Sequence, residues 1–182
     1  MIFKRDRVVF FILLVCLSVC GPGAGANQEE ILSPIREVAE SRLFDGFLYF
    51  ADDQGSYLKA LAQQFPSNLN AHELGCKILE ELLAGPPDSA LVPTFPTDTQ
   101  LLALFISEDG KAWVDLGLRA GQLNNVDTVS ELLAVYSVVN SLTLNIPGVK
   151  QVKLLVNGSD VETLGGHVSL KYFYKTNMLI VK

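Results

Sequence analysis

Few side chains in this 182-residue sequence are of types that do chemistry, and their spacing restricts what they can do. Asp52-Asp53 is an adjacent carboxylate pair. Acid–base work on a glycosidic bond needs two carboxyl groups facing each other roughly 5–9.5 Å apart, whereas neighbours in a strand point to opposite faces. In a turn the same pair is a solvated cap. Glu80-Glu81 falls on the outer side of a helical stretch. His72 sits in a first helical turn, where a surface or capping-region role suits it, and no triad can be assembled around it from spacing. His167 follows Gly165-Gly166, so it lies at a bend where a ring nitrogen can face a backbone acceptor or a partner. Cys76 lies inside a helical pattern with no histidine or acid in a catalytic arrangement around it. It reads as buried apolar filler, with a redox role as the alternative. Trp113 reads as core or rim packing, with a carbohydrate platform as the alternative.

No phosphate-cradling glycine loop, HExxH, CxxC, calcium loop or GxSxG elbow occurs in the sequence. The expectation is therefore no catalytic residue, no metal ligands and no cofactor. Two histidines leave little room for a histidine-rich metal cage, and a net charge of -6 argues against a broad nucleic-acid-binding face.

The elements that must position these residues begin after an address. Residues 1–26 place Lys4, Arg5 and Arg7 before an apolar run over residues 8–19 and then small residues ending Ala24-Gly25-Ala26. That is the order of an export signal. The run is shorter than the roughly 20 residues a membrane-spanning helix needs. Two processing routes stay open. Cleavage after Ala26 releases a soluble product. Alternatively Leu17-Ser18-Val19-Cys20-Gly21 resembles a lipoprotein box in which Cys20 is lipidated, although Val19 departs from the small residue usual there. Either route puts the product outside the cytoplasmic membrane, with Cys20 as its sole route to membrane attachment. Cleavage after Ala26 leaves net charge -8 and Cys76 as the one cysteine, so no disulfide can staple the domain.

Residues 27–42 form a lead-in segment. Phe47-Leu48-Tyr49-Phe50 then reads as a strand entering the turn-prone Asp52-Asp53-Gln54-Gly55, with pairing resumed at Tyr57 and Leu58, while residues 60–69 fit no single period. Asn70 and Glu73 have capping-box spacing, Leu74, Ile78, Leu79, Leu82 and Leu83 follow a helical period, and Gly85-Pro86-Pro87 stops it. Asp109-Gly110 turns a hairpin between an apolar run at 101–106, which suggests a strand covered on both faces, and the run Ala112 to Leu116. Thr128 and Glu131 again have capping-box spacing, before a second, heavily apolar helix ended by Ile146-Pro147-Gly148. Val152, Leu154 and Val156 alternate before Asn157-Gly158, the strongest hairpin signal, and a return strand is expected at 161–164. Asn157-Gly158-Ser159 matches a glycosylation sequon, but the turn explains these residues without modification. The expected fold is α+β: a single two-layer domain with a mixed sheet packed by two main helices, in the order β-α-β-β-α-β-β.

Charge is uneven. Residues 27–147 carry net -11 and residues 148–182 net +3, from Lys150, Lys153, Lys171, Lys175 and Lys182 against Asp160 and Glu162. Such polarity can orient a protein partner or a second copy.

Several stretches in order resemble the GerM domain, a sporulation and germination domain also found in exported proteins and lipoproteins. They are Phe47-Leu48-Tyr49-Phe50-Ala51-Asp52, the helix end Leu82-Leu83-Ala84-Gly85-Pro86, Asp109-Gly110-Lys111-Ala112-Trp113-Val114, Val135-Tyr136-Ser137-Val138-Val139-Asn140, Ile146-Pro147-Gly148, and Val156-Asn157-Gly158 with Gly165-Gly166-His167-Val168. The resemblance covers residues 43–170, and residues 171–182 lie beyond it as a C-terminal strand or tail. It implies a non-enzymatic envelope module, similar in build to modules that form protein rings. The expected function is therefore a periplasmic or extracellular protein-interaction or scaffold module, acting through an envelope protein partner or self-association. The alternative is binding of peptidoglycan or another wall glycan, with Trp113 or the aromatic tail Tyr172, Phe173 and Tyr174 as the stacking surface. Candidate contact residues are Trp113, His167, Lys171, Tyr172, Tyr174 and Lys175.

Overall fold

The computed structural model describes residues 42–87, 90–119, 122–123 and 126–182, all within the compact unit Ala39–Lys182. The export signal, Cys20 and all but the last residue of the lead-in lie outside the described residues. Within them, β1 (Leu43–Asp52) and β2 (Leu58–Pro66) form an antiparallel hairpin, followed by α1 (Ala71–Ala84), the short β3 (Leu91–Val92), β4 (Gln100–Ile106), β5 (Lys111–Gly117), α2 (Thr128–Asn145) and β6 (Gln151–Val156). The strands make two three-stranded sheets, ordered β2-β1-β3 and β4-β5-β6. The first is antiparallel; in the second, β4 and β5 are antiparallel and β5 and β6 parallel, so the fold is α+β with a mixed sheet and two main helices.

Local chemistry explains the helix starts. Asn70 accepts from the N–H groups of His72 and Glu73, both at 3.0 Å, and Glu73 returns the bond to the Asn70 N–H at 3.0 Å, completing the expected capping box. Helix α2 departs from expectation. Its cap is Asp127, one residue earlier than Thr128, accepting from Val129 at 2.8 Å and Ser130 at 3.1 Å. Aspartate serves a helix start at least as well as threonine, and that frees Glu131 to turn inward.

The helices share one core with both sheets. Ile78, Leu79 and Leu82 of α1 meet Val135, Val138 and Leu142 of α2, together with Phe50, Phe65, Val114, Leu116, Val152 and Leu154 from the strands. Helix α2 is not purely apolar. Ser137, Asn140, Ser141 and Asn145 are buried on it, and each bonds a segment outside the helix. Asn145 accepts from the N–H of Phe47 at 2.8 Å and donates to the Phe47 carbonyl at 2.7 Å, and Ser141 accepts from the N–H of Tyr49 at 3.1 Å. The edge of β1 that faces away from β2 is thus closed by helix side chains. Gly46 permits this approach: a Cβ there would lie 2.5 Å from the Asn145 amide oxygen and 2.8 Å from the Phe65 ring.

Three further expectations change. Residues 60–69, which fit no period, supply most of β2. The run at 101–106 is covered on one face only: Leu104 is buried, but Leu102 and Phe105 are 50 % and 60 % exposed, because among the described residues no layer lies over that side of β4. Residues 161–164 form no strand. The place beside β6 is taken by Tyr174, which exchanges backbone bonds of 2.8 and 2.7 Å with Val152. Asn157-Gly158 does turn, with positive φ of 51° and 75°. The Asn157 amide donates to the Leu118 carbonyl at 2.8 Å, so it holds the turn against the end of β5.

Candidate interaction surface

The residues suited to chemistry are engaged by the fold. Asp52 is buried and accepts from the N–H groups of Ser56 at 2.7 Å and Tyr57 at 3.1 Å. The Tyr57 and Ser56 amides hold its carboxyl below the usual range, so the turn uses it as a fixed acceptor while Asp53 is exposed. His72 bonds through Nε2 to the carbonyl of Leu104 at 3.2 Å, covering an edge group of β4. Cys76, expected as buried filler, is partly exposed one helical turn from His72, with Sγ 3.9 Å from the ring nitrogens. Burial, and then Glu80, push its thiol up, which weakens it as a nucleophile.

Glu131 is the most deeply buried charge, 1 % exposed. One carboxylate oxygen accepts from the N–H groups of Leu164 and Gly165, both at 2.9 Å; the other accepts from the His167 N–H at 2.8 Å and lies 3.1 Å from His167 Nδ1. Burial raises its pKa, but the amides of Gly165, His167 and Leu164 outweigh that and hold it below the usual range. Gly165 lets the loop approach: a Cβ there would sit 2.8 Å from the Leu123 carbonyl. Glu131 also lines a hollow of about 270 Å³ with Phe95, Leu123 and Leu164, yet both its oxygens are taken by the loop. Among the described residues, no group of three or more His, Cys, Asp and Glu side chains is placed to hold a metal ion.

The outer face of the β4–β5 pair mixes apolar and charged side chains: Phe105 and Trp113 lie there with Lys111 and Asp115. On β5, Ala112, Val114 and Leu116 are buried, while Trp113 falls on the opposite face. There it meets Phe105 of β4 at a centroid distance of 5.5 Å and Phe173 at 5.1 Å, edge-on at 85°. Lys111 lies 6.0 Å over the Phe173 ring. The Tyr174 bridge to β6 explains why Phe173 reaches this face: alternation sends Tyr174 inward, edge-on to Tyr136 at 5.5 Å, and Phe173 outward. Sequence reasoning singled out Trp113 and, in the aromatic tail, Phe173, but missed Phe105; that the three meet depends on strand register and the tail's return.

The other candidate residues are dispersed. His167 sits on the Glu131 clamp. Tyr174 donates its hydroxyl to the Ser169 carbonyl. Lys171 pairs with Glu162 at 2.5 Å, Tyr172 is 69 % exposed, and Lys175 is exposed. The basic segment is partly neutralised locally, since Lys153 pairs with Asp160 at 2.5 Å and Lys182 lies 3.5 Å over the Tyr57 ring.

No curated protein matches the chain. Solved structures share its fold: a protein described as a lipoprotein from Clostridium perfringens (22 % identity, TM-score 0.53, covering 74 % of this chain and 87 % of that one), and the tandem GerMN domains of the sporulation protein GerM from Bacillus subtilis (22 %, 0.54, covering 72 % and 46 %). The first GerMN domain of that protein alone matches at 23 % identity and TM-score 0.50, covering 71 % of this chain and 99 % of that one. The family model for sporulation and spore germination domains matches residues 47–162, more than half of the sequence, and the chain belongs to this Germane family.

Proposed function

We propose that the chain is a non-enzymatic interaction module of the bacterial cell envelope, and that the outer face of β4 and β5 is its contact surface. The observation that carries this reading is the cluster of Phe105, Trp113 and Phe173 on a sheet face that no layer of the described residues covers. Exposed apolar patches built of aromatic residues mark contact sites more often than accidents of packing. The expected export signal would deliver it outside the membrane, with or without a lipid at Cys20. The acid, thiol and imidazole groups serve the fold, which supports a binding role over catalysis.

Capture from crosslinked envelopes tests the reading. The wild-type protein is expected to recover a reproducible protein partner that Phe105→Ser and Trp113→Ala lose. Equal recovery by both variants would reject this surface. A second reading, binding of peptidoglycan, rests on the same aromatic rings, which can stack on sugars. Retention of the wild-type protein on purified peptidoglycan, lost on Trp113→Ala, would favour it; unchanged retention would remove it.

A further inference from the structure

The strand edges of the fold are treated unequally. The edge of β1 is closed by Asn145 and Ser141, the Leu104 carbonyl on β4 by His72, and Val152 on β6 by Tyr174. The outer edge of β2 is different. At one end of the hairpin the N–H of Asp52 bonds the carbonyl of Tyr57, and at the other the N–H of Ser67 bonds that of Arg42. Antiparallel alternation then turns the main-chain groups of Lys59, Leu61, Gln63 and Phe65 toward β1, and those of Leu58, Ala60, Ala62 and Gln64 outward. Leu58 is met by the chain's own tail: Val181 bridges it in parallel and the N–H of Lys182 bonds its carbonyl at 2.9 Å. Among the described residues, Ala60, Ala62 and Gln64 have no such partner, and all three are exposed. Lys59 and Pro66 stand at the two ends of this edge, and positions 60–65 between them carry neither a charge nor a proline, the usual protection of an open edge.

Beside this edge lies a hollow of about 210 Å³, lined by Leu61 and Gln63 of β2, Leu48 and Phe50 of β1, and the last turn of α1 at Glu81 and Ala84. Leu48 and Leu61 are cross-strand partners, so the hollow lies on the inner face of the hairpin. A strand added outside β2 would direct alternate side chains toward it. Open main-chain groups together with an apolar hollow on the same strand match recognition by strand addition, in which the backbone supplies affinity and the hollow selects a side chain.

We propose that the β2 edge binds an extended segment of a partner protein that pairs with Ala60, Ala62 and Gln64 and places one large apolar side chain in this hollow. The Val181 bridge shows that a strand parallel to β2 fits the edge, and the incoming segment continues that line. The inference rests on the interaction-module reading but uses a different surface. Phe105→Ser, which tests the outer face, is therefore expected to leave it unchanged.

Random displayed peptides selected on the full-length protein provide the test, scored against two variants. Ala62→Pro removes an outward N–H, a position where an edge strand tolerates proline, and Ala84→Phe fills the hollow from the end of α1. Selected peptides are expected to share a large apolar residue, to slow amide exchange at Ala60, Ala62 and Gln64, and to bind each variant about tenfold more weakly. Ala84→Phe decides the matter if Ala62→Pro does not fold. Binding unaffected by Ala84→Phe, or failure to select any edge-dependent peptide, would overturn the proposal. So would a dimer of the unliganded protein that Ala62→Pro dissociates, since the edge would then belong to a second copy.

Discussion

Helix α2 and the outer face of β4 and β5 invert the usual distribution of side chains in opposite ways. The helix buries Glu131, Ser137, Asn140, Ser141 and Asn145, while the sheet face exposes Leu102 and Phe105 beside Trp113. The buried polar groups are partnered. Asn140, for example, exchanges two bonds of 2.9 Å with the backbone of Asn177, fixing the tail that brings Phe173 to the sheet. Of the three rings Phe105 is exposed and Trp113 and Phe173 are half-buried, packed in the order Phe105–Trp113–Phe173, with no covering layer among the described residues. Polar groups inside a protein persist when they bond backbone that would otherwise be unsatisfied, and apolar groups outside persist where something other than the fold uses them. The difference separates the residues that build the molecule from those that the proposed contact surface would use.

Substitutions that break the clamps test one side of this contrast, and the largest effect belongs to Glu131. Glu131→Ala leaves the amides of Leu164, Gly165 and His167 without their acceptor and is expected to cost about 3 kcal/mol of stability, measured by urea unfolding; a loss near zero would show that the loop holds itself. The same clamp predicts acid sensitivity. Because the folded pKa of Glu131 is depressed, its contribution is fully present above the ordinary glutamate pKa of about 4.3 and is lost as pH falls from there through the folded value. The urea midpoint of the wild-type protein should therefore fall across that window more steeply than that of Glu131→Gln, and parallel curves would exclude Glu131 as the cause.

Asn145→Leu comes next. It removes both bonds to Phe47 at the β1 edge and is expected to cost about 2 kcal/mol, with faster amide exchange at Phe47. Unchanged exchange there would mean that the edge is protected by packing alone. The smallest expected effect sharpens the other side: Phe105→Ser should change stability by no more than about 0.5 kcal/mol. A loss comparable to that of Asn145→Leu would make the outer aromatic cluster part of the fold's own packing and remove the reason to reserve it for a partner.

Much of the scaffold was legible before any coordinates. Helix α1 carries its start in Asn70 and Glu73, its face in the leucine and isoleucine spacing and its stop in Gly85-Pro86-Pro87. The Asp109-Gly110 hairpin turn and the Asn157-Gly158 turn announce themselves, although no return strand follows the second. Strand β2 does not, because an edge strand of alanine and glutamine carries little periodic signal. Glu131 misleads for a related reason: its spacing from Thr128 satisfies a capping rule, and nothing local reveals that Asp127 has already filled that role. A trace of the clamps was nevertheless present, as Ser137, Asn140, Ser141 and Asn145 stand out in a helix otherwise apolar enough to be buried all round.

From the sequence alone came the class of fold, the family and the lack of any recognised catalytic motif, because capping, turn chemistry and hydrophobic period act between near neighbours. Tertiary structure decided which strand edge stays unpaired among the described residues, which carboxylate ties down the C-terminal loop, and which three rings meet on the outer face of β4 and β5. Those outcomes join residues far apart in the chain, such as Phe47 with Asn145 and Trp113 with Phe173, and arise only when strand register and helix placement have fixed where each side chain points.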